Sequence, residues 1–210
     1  MEEDVSASSF LHGETSSLKP FENNWHFHRE EIQKILNKIL THNYEGNKPC
    51  IISVEGNPGT GRTFAILASV YELIKNHRSV AIEIPSYAMT RIPTQDIMND
   101  FVKEIKHSSV EFGIKLPDRI IFWAEFPLGE MDFFNFKILA SNCDLSICLI
   151  FEDFAHSFDN IEFEGISSIR VDEGLSEIQR SAFSKYIFNT IDHAIWILLV
   201  AFHERFYGSI

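Results

Sequence analysis

Three observations in the sequence predict an α/β fold with a parallel sheet covered by helices on both faces. Short continuous apolar runs alternate with segments whose apolar residues recur at spacings of three and four. A glycine-rich stretch, "EGNPGTGRTF" from Glu55 to Phe64, lies between the first apolar run and the helical pattern after it. A later run, "ICLIFED", ends in two acids, Glu152 and Asp153. Alternation of this kind builds parallel strands joined by crossover helices.

The elements follow in order. Residues 1–20 are rich in Ser and Glu and carry little apolar pattern, so they read as a mobile tail ahead of one domain at 21–210. In "FHREEIQKILNKIL", Ile32, Ile35, Leu36, Ile39 and Leu40 form one helical stripe. "PCIISVE" is a continuous apolar run suited to a buried parallel strand. A helix starts inside the glycine loop and runs through "RTFAILASVYELIKN", and "SVAIEI" is a second strand closed by Pro85. "TQDIMNDFVKEI" puts Met98, Phe101, Val102 and Ile105 on one face, with Thr94 as cap. Periodicity does not assign "IIFWAEF" and "FFNFKILA" to helix or strand. "LSICLIFED" is a third strand, "GLSEIQRSAFSKYIFNTI" a helix and "AIWILLVAF" a fourth strand. Between Asp153 and Gly174 the acids Asp159, Glu162, Glu164, Asp172 and Glu173 show no period, and a surface loop is expected.

Composition sets outer limits on function. The 210 residues are 45% apolar with 19 Phe, enough for a packed core. No apolar run reaches the roughly 18 residues of a membrane helix, so no membrane partner is expected. The acidic, polar N-terminus is unlike a secretory signal. Cys50, Cys143 and Cys148 lack CxxC spacing and read as reduced, buried thiols of a cytosolic or nuclear protein. His26 and His28 have no zinc-ligand companions. A net charge of −12 argues against gripping nucleic acid alone through a broad basic face, but does not exclude a subunit whose partners supply one.

The chemistry concentrates in Gly56-Asn57-Pro58-Gly59-Thr60-Gly61-Arg62-Thr63, which fits G-x-x-x-x-G-[K/R]-[S/T] between a strand and a helix. Its glycines let backbone amides converge on phosphate oxygens at a helix N-terminus. These residues are the candidate ATP site, and the Thr63 hydroxyl is placed for magnesium. Arg62 stands where such loops carry lysine; it keeps the charge but widens the head into a planar fork. Glu152 is the second candidate metal ligand, and Asp153 the candidate catalytic base. The usual order is aspartate then glutamate. Reversed, it leaves the base one methylene short, and a misplacement of about 1 Å can cost about a hundredfold in rate. His203, after the fourth strand, is a candidate for contact with the γ-phosphate or the attacking water.

"FHREEIQKIL" resembles the H-R-E-E segment that opens the AAA+ ATPase domain of archaeal initiators and origin recognition complex subunits. "SVAIEIPSYAMTRIPTQDIMNDFVKEI" looks like the second strand and next helix of subunit 4 of that complex. "CLIFEDFAHSF" and "FSKYIFNTIDHAIWILLVAFHERF" are similar to its acidic strand end and its sensor strand. The resemblance implies a P-loop NTPase (AAA+) three-layer sandwich with strand order 5-1-4-3-2. It places His28 and Arg29 near the adenine. It further implies ATP as structural glue, other origin recognition complex subunits as partners, DNA contacted through the assembly, and a nuclear location. Against that family the chain is expected to be truncated after the fourth strand, without lid or winged helix. One edge of the strand at Cys50 to Glu55 would then lie open to a partner.

Two other readings stand beside it. A degenerate P-loop scaffold acting only through protein contacts would suit Arg62 and the reversed acids. A small P-loop phosphotransferase would need clustered lid arginines, where Arg170, Arg180 and Arg205 are scattered.

Overall fold

The computed structural model describes residues 29–57, 60–85, 92–126, 128, 130–154 and 165–171, with backbone only at 130, 131, 153 and 154. Its elements are α1 (Glu30–Thr41), β1 (Cys50–Gly56), α2 (Arg62–Asn76), β2 (Ser79–Glu83), α3 (Thr94–Phe112), β3 (Arg119–Ala124), α4 (Glu130–Ser141), β4 (Ser146–Phe154) and β5 (Ile166–Arg170). The strands form one parallel sheet in the order β2-β3-β4-β1-β5. Read from the other edge the numerals run 5-1-4-3-2, but the strands are not the expected ones. The 119–124 and 166–170 segments are not among the expected strands, and "LSICLIFED", expected as the third strand, takes the place beside β1 expected for the fourth.

Strand alternation divides the core in two. Ile52 and Val54 of β1, Cys148 and Ile150 of β4 and Trp123 of β3 pack against α1 and α2, through Ile35, Ile39, Ile66 and Leu73. Their neighbours Ile51, Phe122, Leu149 and Phe151 face α3 and α4, against Met98, Val102, Phe133 and Phe136. Successive side chains of a strand point to opposite faces, so an uninterrupted apolar run serves both layers. The result is a three-layer P-loop α/β fold. The α1 stripe is buried at Ile32, Ile35, Leu36 and Ile39, as its spacing predicts, and Glu30 and Glu31 complement the positive helix start. All three cysteines are free and buried. Among the described residues, no helix is long and apolar enough to cross a membrane.

Several expectations change. "IIFWAEF" contributes β3, which pairs with β2 and β4, and "FFNFKILA" is helical within α4. That helix buries Phe133, Phe136 and Ala140 while Phe134 stays exposed, so its apolar residues spread around the axis instead of forming one stripe. Pro93, not Thr94, occupies the cap position of α3; Thr94 is its first residue and is buried. The expected open edge of β1 is closed. β5 pairs with it from Ile51↔Ile166 to Glu55↔Arg170, so this edge offers no free ladder to a partner. This strand comes from the stretch expected to be a loop. Only Ile169 of β5 is buried, because an edge strand packs mainly on one face and reads weakly in sequence. The 146–154 segment is the fourth strand along the chain, is central in the sheet and lies directly beside β1. The expected helix at 174–191 and strand at 194–202 fall outside the described residues, as does the tail at 1–20.

Candidate functional site

β1 ends at Gly56, whose φ of 152° is one that side chains rarely adopt. A Cβ there would lie 2.7 Å from the Val171 carbonyl oxygen and 2.8 Å from Thr60 Oγ1. The chain leaving β5 therefore presses against the loop's first residue, and Val171 N–H donates to Glu55 O at 2.8 Å. Asn57 accepts at its carbonyl from both Thr60 N–H (3.2 Å) and Thr60 Oγ1 (2.8 Å), which closes a turn. Pro58 and Gly59, inside this turn, lie outside the described residues. Gly61 then caps α2 at φ 92°, and the Ala65 amide returns to its carbonyl at 3.0 Å.

Arg62 and Thr63 form the first turn of α2, and both reach the same carboxylate. Arg62 Nη2 lies 3.3 Å from Glu152 Oε2, with each side chain 6% exposed. The Thr63 hydroxyl donates to Glu152 Oε1. The glycine loop and the acid strand end, far apart in sequence, are thus brought into contact. The cause is the ladder, which sets Val54 of β1 opposite Glu152 of β4. Thr63 and Glu152 offer the oxygen donors that suit magnesium, an ion that keeps several waters and needs few protein ligands. Here they are bonded to each other. Among the described residues no group of three or more His, Cys, Asp and Glu is arranged to hold a metal.

Arg29, placed near the adenine by the resemblance, lies against the glycine loop. Its guanidinium is buried; Nη1 donates to Thr60 O at 2.7 Å, and Nε lies 3.3 Å from Glu31 Oε2. A Cβ on Gly61 would come within 2.5 Å of that Nη1. Arg29 therefore braces the loop from behind, through a backbone carbonyl. Arg29→Gln should lower stability by about 1.5–3 kcal/mol, the range for a hydrogen bond to a charged group. It should also speed amide exchange at Thr60 to Thr63 by hydrogen–deuterium exchange. Unchanged exchange there would show that the brace is not needed.

Of the other predicted site residues, Asp153 is described as backbone only, in register with Glu55. His28 and His203 lie outside the described residues. Sequence reasoning passed over Glu125, which follows the last residue of β3. Desolvation raises its carboxyl above the usual range, and Glu83 and Glu152 push it the same way. Desolvation also raises Glu83. Three acids thus gather at the carboxyl ends of β2, β3 and β4. "IIFWAEF", an apolar run ending in an acid, was the available signal, the same one that marked "ICLIFED".

A raised carboxyl binds its proton more readily folded than unfolded. Between the unfolded value and the folded one, stability therefore falls as pH rises. Glu125→Gln removes this. Its thermal midpoint should match the parent below pH 4.5 and exceed it at pH 7. An equal gap at both pH values would refute the assignment.

No protein-family model matches the chain, and no curated protein does. Solved structures similar to it include AMPPCP-bound DnaA from Aquifex aeolicus, 15% identical with TM-score 0.38, aligning 91% of this chain with 56% of that one. Rhizobiales Trip13 is 13% identical with TM-score 0.37, over 80% of this chain and 61% of its own. Saccharomyces cerevisiae RIF2 is 12% identical with TM-score 0.45, over 93% and 78%. The chain thus spans less than two thirds of the first two. The fold stated above rests on strand order and register.

Proposed function

We propose that this chain is an AAA+-type subunit of an origin-recognition-like assembly that initiates DNA replication in the nucleus. Its loop from Gly56 to Thr63 holds ATP, with Mg2+, chiefly as a structural ligand, and hydrolysis is weak or absent. Other subunits of the complex are its partners, and DNA is met through the assembly, in keeping with a net charge of −12. The observation that carries the reading is the buried contact of Arg62 and Thr63 with Glu152. It joins the loop to an acid strand end, as a triphosphate and metal site requires, and it leaves the altered Arg62 committed to a carboxylate. Geometry of that kind favours binding over turnover, since hydrolysis needs its groups placed to well under 1 Å or so.

The same contact favours a second reading, a scaffold that binds no nucleotide, because Glu152 already satisfies the cation and the hydroxyl. ATP titration of the parent and of Arg62→Lys, followed by single-turnover hydrolysis, separates the two. Weak binding that lysine tightens, with negligible turnover, supports the subunit reading. A chain that binds nothing in either form supports the scaffold. Affinity isolation from its own cells tests the partners, and recovery without replication-initiation subunits would reject that part.

A further inference from the structure

We propose that Glu152 is a built-in competitor for the anion site: its carboxylate holds Arg62 and Thr63, and a polyphosphate must displace it to bind. The inference rests on the reading of the loop as a nucleotide site and assigns that site a regulation.

The carboxylate uses one oxygen for each partner, Oε2 for Arg62 and Oε1 for Thr63. Two oxygens of one phosphate would engage the same pair of groups in the same way, since guanidinium forks match carboxylate and phosphate alike. Both partners sit on the first turn of α2, where the helix dipole favours any anion and does not distinguish a side chain from a ligand. Glu152 is 5% exposed, so the contact is shielded from water and little screened by salt. The backbone of β4 is held by β1 at Glu152 itself and by β3 up to Phe151. Only side-chain rotation can vacate the site. A carboxylate turned away from Arg62 would still feel the acid Glu125 at the sheet end. Release is therefore opposed by attraction on one side and repulsion on the other.

With metal present, a metal-ligand role would make Glu152 aid polyphosphate binding and a competitor role would make it oppose binding; removing metal leaves only the second effect. The test is calorimetric titration with tripolyphosphate, the triphosphate group without its nucleoside, in excess EDTA. The proteins are the full chain, Glu152→Asp and Glu152→Gln. Aspartate keeps the charge but withdraws it by one methylene; glutamine removes the charge and keeps the shape. Affinity should rise in the order parent, Asp, Gln, with Gln roughly tenfold or more tighter than the parent. If Glu152→Gln fails to fold, the parent and Glu152→Asp decide the matter by the same order. Variants that bind no more tightly than the parent would overturn the latch and leave the anion site standing. No binding by any of the three would overturn the anion-site reading and the latch with it.

Discussion

Glu152→Leu should lower the stability of the chain by about 3–5 kcal/mol, and Arg62→Met by a similar amount. Combining the two should cost less than either alone. The reason is that each single change takes the opposite charge of this pair away from a buried group. Both side chains are 6% exposed, so water cannot take the missing partner's place. The double variant removes both charges and fills the space with apolar volume, an exchange that is often neutral for a buried pair. Chemical denaturation of the four proteins gives the cycle directly. Additive losses would mean that the two side chains do not act as a pair, and the account of the site would lose its centre. The cycle also separates stability from binding. The double variant folds well on this expectation, yet it presents no cation to a phosphate and should not bind ATP.

Gly56→Ala should cost about 3–5 kcal/mol, as strain and overlap add. The φ of 152° is the first cause. The second is lack of room, since the new methyl would lie 2.7 Å from a backbone oxygen, that of Val171, and 2.8 Å from Thr60 Oγ1. The backbone atom cannot rotate away, so either the β5 exit or the loop must move. Gly46→Ala is the control. It shares a positive φ, 71°, but has nothing within 4 Å of the added carbon. Its cost should be the conformational part alone, about 1–2 kcal/mol. Equal losses at the two positions, by denaturant midpoint, would show that the contact with Val171 is not tight.

Features set by neighbours in the chain were legible in advance. The glycine loop was recognisable because a strand, a turn needing positive φ and a helix start all fall within one short stretch. The α1 stripe was recognisable because burial at Ile32, Ile35, Leu36 and Ile39 follows the helical repeat. "ICLIFED" announced an acid at a strand end by the same local logic. "IIFWAEF" carried an equal signal, but its aromatic residues fit helix and strand alike, so Glu125 went unread.

What the residues determined by themselves was the parallel α/β fold, the glycine loop between strand and helix, and the acid at Glu152. Each depends on backbone geometry or side-chain period over a few positions. The tertiary structure alone decided which groups meet. It put β4 beside β1, so that Glu152 faces Arg62 and Thr63, and it set Arg29 against the Thr60 carbonyl. It also closed the β1 edge with β5, a strand in which only Ile169 is buried. Strand adjacency and buried ion pairs arise from contacts between residues far apart in the chain, and no local pattern encodes them.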